Sequence, residues 1–139
     1  MKMDKRIVAA TAAAITLTAL MPATTSQAVT NKEWGSGGKV VARLHESKNF
    51  KGAILTVYGT SQCSSSTSDN EIIQPRLSNQ EWNDVISSVR DYESCDVNLY
   101  EHRDYNTNDP GASTGFVHYG STGANLGALN DKASSFKIS

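Results

Sequence analysis

Two copies of one six-residue pattern carry the densest oxygen chemistry in the chain: Asn83-Asp84-Val85-Ile86-Ser87-Ser88 and Asn130-Asp131-Lys132-Ala133-Ser134-Ser135. Each offers an amide, a carboxylate and two hydroxyls besides its main-chain carbonyls. Such oxygens suit a hard cation such as calcium, which takes roughly six to eight of them at about 2.3–2.6 Å. The same residue types also build ordinary turns, because Asn-Asp bends the chain and Ser-Ser can hydrogen-bond the bend. One copy alone favours the turn. Two copies, each preceded by an apolar residue (Trp82 or Leu129) and followed by a β-rich tail, favour a site.

Other chemistry finds less support. His45, His102 and His118 lack metal-site spacing with one another or with the cysteines. No Gly-x-Ser-x-Gly elbow presents a serine nucleophile. The glycines of 120–127 precede a β segment with no helix to receive a phosphate. The chain therefore reads as a non-enzyme.

Positioning the two motifs falls to short strands. Apolar bursts at 40–44, 53–58, 71–74, 85–89, 97–100, 115–119 and 133–138 are rich in Val, Ile, Leu, Phe or Tyr, and turn formers bound most of them. That is the pattern of an antiparallel sandwich. Sustained 3.6-residue periodicity is absent, and 78–82 allows one helical turn at most. The segments 61–70 and 106–114 are dense in turn residues and read as mobile loops. Trp82 and Leu129, just ahead of the motifs, are expected to wedge into the core.

At the N-terminus, Lys2, Lys5 and Arg6 precede an apolar run too short to span a bilayer, then Met21-Pro22 and small residues. This predicts a secretory signal over 1–28, cleaved after Ala28. Removing its three cations and one anion takes the formal net charge from −1 to −3. A mildly acidic domain with no Lys/Arg cluster argues against nucleic acid or anionic membrane as a partner. Residues 29–38, ending in Gly-Ser-Gly-Gly, read as a flexible lead-in, and the domain proper as 39–139. Cys63 and Cys95, the only cysteines, should close one disulfide in the oxidising extracellular space. In the chain-entropy picture a loop of that length stabilises the fold by roughly 3–4 kcal/mol.

A second repeated pair precedes each motif. His45-Glu46-Ser47-Lys48-Asn49-Phe50-Lys51-Gly52 matches Tyr100-Glu101-His102-Arg103-Asp104-Tyr105-Asn106-Thr107, each placing a ring, then Glu, then an aromatic five positions after the ring. With the doubled Asn-Asp-x-x-Ser-Ser, this order resembles the βγ-crystallin family. The resemblance implies an all-β, double Greek-key β-sandwich, with keys at about 39–92 and about 96–139. His45 stands where the family has Tyr, Phe or Trp. Thr107 stands where it has the Gly that permits a positive φ, so the second hairpin should be reshaped around 106–111.

The resemblance further implies two calcium ions held crosswise between the keys. One site would draw on Glu46, Val85, Ser87 and Asp131, the other on Glu101, Lys132, Ser134 and Asp84. The motif leaves open whether Asn83 and Asn130 or their aspartate neighbours cross over. Glu46 and Glu101 would serve through main-chain oxygens, so their side chains should matter little. About one carboxylate per site sets the affinity in the micromolar-to-millimolar range. The resulting expectation is a secreted, monomeric calcium-binding module with a structural or stress role. A proteinase inhibitor of the metallopeptidase type or a killer-toxin-like protein is the alternative, and a wall-carbohydrate binder the third reading.

Overall fold

The computed structural model describes residues 28–64 and 66–139. Apart from Ala28, the expected signal segment lies outside the described residues, as does Ser65 of the serine-rich loop. Seven strands form: β1 Lys32–Gly35, β2 Lys39–Ser47, β3 Lys51–Gly59, β4 Ile72–Gln74, β5 Ser88–Asp91, β6 Val97–Tyr100 and β7 Ser135–Ile138. Their order is β1-β3-β2-β5 in one sheet and β4-β7-β6 in the other. Single turns of 3-10 helix occur at Leu77–Gln80, Arg103–Tyr105 and Gly127–Leu129. Among the described residues no helix is long and apolar enough to cross a membrane.

Each half of the chain lends a segment to the other half's sheet. β4, from the first half, pairs antiparallel with β7 of the second. Reciprocally, the Gly123 carbonyl accepts from the Val89 amide of β5. This exchange is the double Greek-key sandwich. Alternation along β2 and β3 sends Ala42, Leu44, Leu55 and Val57 inward. They meet Trp82, Ile86, Leu99, Phe136 and Ile138, all fully buried, and each contributes roughly 1.5–3 kcal/mol by leaving water. Trp82 and Leu129 do enter this core. Cys63 and Cys95 form the disulfide, with Cα atoms 4.9 Å apart.

Three segments differ from the sequence reading. Residues 32–35, assigned to a lead-in, form β1, parallel to β3. Trp34 packs against the core from this strand, and the Asn31 side chain accepts the Ile54 amide at 2.9 Å. Gly35 can do this only as glycine, since at φ +91° an added Cβ would lie 2.2 Å from the Tyr58 carbonyl oxygen. The expected strand at 85–89 begins only at Ser88, because Asp84 takes φ +56° and folds 83–85 into a turn. The expected strand at 115–119 is reduced to a bridge between Val97 and Val117. There Gly115 takes φ +68°, and the Thr114 hydroxyl, rather than a main-chain carbonyl, accepts the Leu99 amide.

Candidate paired ion sites

Each hairpin turn is tied to the motif that follows it by the same bonds. The first ring residue, His45, offers its carbonyl to the Ser87 amide at 2.9 Å, and Tyr100 does the same for Ser134 at 2.8 Å. The second serine of each motif pins the hairpin tip. Ser88 Oγ donates to the Ser47 carbonyl at 2.6 Å and accepts the Phe50 amide at 3.0 Å. Ser135 Oγ donates to the His102 carbonyl at 2.6 Å and accepts the Tyr105 amide at 3.2 Å. These bonds hold Asn49-Phe50 and Asp104-Tyr105 at positive φ and seat the aromatic pairs edge-on, His45 against Phe50 and Tyr100 against Tyr105. After Tyr105 the halves diverge. Gly52 turns at φ +76°, whereas Thr107 has no positive φ and the chain loops out through 106–112 before rejoining β6.

The motifs also bind each other. The Asp84 amide donates to the Ala133 carbonyl, and the Asp131 amide to the Ile86 carbonyl, both at 3.0 Å. Both aspartates sit at φ +56°, a conformation that Asp tolerates better than most residues. Their carboxylates consequently cross. Ser87 Oγ donates to Asp131 Oδ1 at 2.5 Å, and Ser134 Oγ to Asp84 Oδ1 at 3.4 Å. The aspartate of each pair thus makes the crossing contact, while Asn83 and Asn130 each donate an amide proton to their own Asp neighbour.

One surface cavity collects Glu46, Val85, Ser87, Asn130 and Asp131, with Ala28 and Val29 of the N-terminal arm along its rim. A second gathers Asp84, Glu101, Lys132 and Ser134, and Asn83 lines an adjoining hollow with Glu101. Nine of the ten candidate residues therefore line two oxygen-rich depressions at the junction of the keys, with Asp84 and Asp131 lining both, and Asn83 stands in the adjoining hollow. In the first, Asn130 Oδ1 is buried without a hydrogen-bond partner, an acceptor oxygen of the kind a hard cation takes. Among the described residues, no three His, Cys, Asp or Glu side chains stand together as a metal cluster. An ion in either depression would depend on carbonyls and hydroxyls as well as on one crossing carboxylate.

The two depressions are unequal. Where the first has the apolar Val85, the second has Lys132, whose ammonium lies 3.9 Å from Glu101 Oε1. Only the first is rimmed by the N-terminal arm, held there by Trp82 Nε1 donating to the Thr30 carbonyl at 3.3 Å. The Glu46 side chain also has a task that sequence reasoning missed: Oε2 accepts the Ala53 amide at 3.0 Å and braces the first hairpin.

Of the three histidines, His102 lines the second depression and the other two line neither. His45 is buried and held below the usual imidazole range, first by burial and then by the Arg90 and Arg43 charges. His102 bonds Asp109 at 2.8 Å. His118 is raised, mainly by donating to the Cys95 carbonyl and then by Asp91 and Asp96, although most of its ring is in solvent.

No family model matches the sequence, and no curated protein sequence matches it significantly. Solved structures do resemble the fold. A βγ-crystallin domain structure concerned with the evolution of the eye-lens fold superposes with a TM-score of 0.52 at 22% identity, over 76% of this chain and 91% of that one. Domains from Flavobacterium johnsoniae (TM-score 0.48, 23% identity, 71% and 93% coverage) and Clostridium beijerinckii (0.46, 19%, 70% and 95%) are also similar. The chain has the βγ-crystallin domain fold.

Proposed function

We propose that this chain is an exported, monomeric, non-catalytic module that binds two calcium ions between its Greek keys. The crossed contacts carry this reading: Asp131 reaches Ser87 of the first motif, and Asp84 reaches Ser134 of the second. Ser87 and Ser134 would supply hydroxyls, Asp131 and Asp84 the carboxylates, and residues 46, 85, 101 and 132 main-chain oxygens. Calcium would neutralise the two carboxylates and tie the keys together. Because such ions favour the native state, a concentration of about a hundred times Kd would stabilise it by about 2.7 kcal/mol. The Cys63–Cys95 disulfide supports a life outside the reducing cytosol.

The test is calorimetric titration of the metal-stripped chain from Val29 onward, alongside thermal melts and a Ser87→Arg/Ser134→Arg variant. Two binding events, a higher Tm with calcium, and loss of both in the variant are expected. Absence of heat and of any Tm change in the wild type would sink the reading.

A further inference from the structure

Three consecutive residues fasten the N-terminal arm to the domain. The Thr30 carbonyl accepts from Trp82 Nε1 at 3.3 Å, the Asn31 side chain accepts the Ile54 amide at 2.9 Å, and the Lys32 ammonium lies 3.1 Å from Glu81 Oε2. Downstream the chain runs into β1, and upstream the half-buried Val29 packs against the core. Trp82 is fully buried and directly precedes the first Asn-Asp motif, so its bond to Thr30 ties the arm to the element that builds the first depression.

These anchors fix the course of the chain at Ala28 and Val29. Both residues line the first depression, and both line a shallow hollow shared with Thr30 and Glu81. The peptide bond between them, the one the sequence predicts to be cut on export, therefore lies at the rim of both.

The charges on the two sides of that bond differ. The first depression holds the carboxylates of Glu46, Asp84 and Asp131 and one cation, Lys48. Among the described residues none of the four takes part in an ion pair. The carboxylates accept from neutral groups instead: Glu46 from the Ala53 amide, Asp131 from Ser87 and Asn130, and Asp84 from Asn83 and Ser134. Glu81, the carboxylate of the hollow, is already matched by Lys32. A cation placed at the rim thus finds its unmatched negative charge in the first depression.

We propose that cleavage after Ala28 sets the α-ammonium of Val29 at the first depression as an internal counter-ion, which calcium has to outcompete there and not at the second. This rests on the two-ion reading above. Before cleavage the same nitrogen is an uncharged amide; afterwards it is an ammonium at neutral pH. Ammonium and calcium are drawn to the same carboxylate oxygens and repel each other. Neither Ala28 nor Val29 lines the second depression or its adjoining hollow. Processing would in this way set apart the affinities of two sites built from one repeated motif.

Three forms of the protein test this: the chain from Val29 with its free amine, the same chain acetylated only at that amine, and a chain from Thr24, whose ammonium lies five residues further out. Each is stripped of metal and titrated with calcium chloride at pH 7 by calorimetry, as wild type and in two backgrounds. Ser134→Arg leaves the first event to be read alone, and Ser87→Arg the second. The first event should be about fivefold tighter in the acetylated and Thr24 chains than in the Val29 chain, and the second equal in all three. In chelator the order reverses, because the ammonium then has no competitor: the Val29 chain should melt roughly 1–4 °C above the other two. Equal affinities for the first event, or a gain shared by both events, overturns the competition. Silent calorimetry in every wild-type form removes the two-ion reading, and the melts in chelator then decide the counter-ion alone, equal melting temperatures overturning it as well.

Discussion

Ser87 and Asp131, 44 residues apart in sequence, meet in a 2.5 Å hydrogen bond that joins the two halves of the domain. The equivalent pair, Ser134 and Asp84, is looser at 3.4 Å. The asymmetry agrees with the surroundings. The first pair lies beneath the N-terminal arm beside an apolar Val85, the second beside an exposed lysine. Calcium at the first position would replace a preorganised contact, whereas at the second it would have to draw the groups together.

Asp131→Asn is therefore expected to weaken one calcium event by about tenfold or more, and Asp84→Asn the other, since each removes the crossing carboxylate of a single oxygen cage. Calorimetry on both variants separates them. If each variant weakened both events equally, the crosswise assignment would fail.

Lys132 gives the second motif a charge where the first has the apolar Val85, although Lys48 also lines the first depression. Two unit charges about 4 Å apart in water interact by about 1 kcal/mol. Lys132→Val should tighten the second event by about fivefold, and the gain should shrink in roughly 0.5 M salt as screening removes the repulsion. A gain that persists in salt would point to packing instead.

Adjacent serines should behave in opposite ways. Ser88 is fully buried, and its hydroxyl satisfies the Ser47 carbonyl and the Phe50 amide. Ser88→Ala strands both groups and should cost roughly 1–3 kcal/mol with no calcium present. Ser87→Ala also gives up a bond in chelator, the one to Asp131, but should in addition remove the calcium stabilisation at the first depression, which Ser88→Ala should keep. A calcium-induced rise in Tm undiminished in Ser87→Ala would show that this serine is structural only.

How much of this was legible follows from how local each signal is. The doubled motif, the cysteine pair and the apolar anchors Trp82 and Leu129 are visible because few residues carry them. β1 was hidden because its pairing is parallel and nonlocal, and because Asn31 and the main chain do work that no alternation records. The 115–119 strand was over-read because Val117 and Tyr119 pack into the core while the ladder to β6 is one main-chain bridge at Val97, with the Thr114 hydroxyl standing in at Leu99. The structural role of the second serine could have been suspected from its strict repetition. That Arg43 stands opposite Arg90 has no sequence signal either, since register alone brings the two positions together.

Reduction of Cys63–Cys95 opens a loop of 32 residues. Cys63→Ser/Cys95→Ser should lower unfolding free energy by about 3–4 kcal/mol and raise the urea slope, because the denatured chain without its bridge is less compact. The same loss at unchanged slope would mean that the bridge acts on the native state instead.

Acid should weaken the fold through His45. Its protonation is suppressed in the native state, first by burial and then by Arg90 and Arg43, so below the ordinary histidine value of about 6.5 the unfolded chain binds the extra proton. His45 thus costs no stability above that value and a growing amount as pH falls from it towards the lower folded value. His118 has the opposite sign, because its Cys95 hydrogen bond and the neighbouring aspartates raise it. Its contribution is complete below about 6.5 and is lost as pH rises through its folded value, and exposure keeps it small. His45→Tyr, which makes the first ring pair match Tyr100 and Tyr105 chemically, removes only the first effect. Urea unfolding at about pH 5 and about pH 8 should show wild type losing more stability on acidification than this variant. Parallel losses in the two proteins would place the acid sensitivity elsewhere.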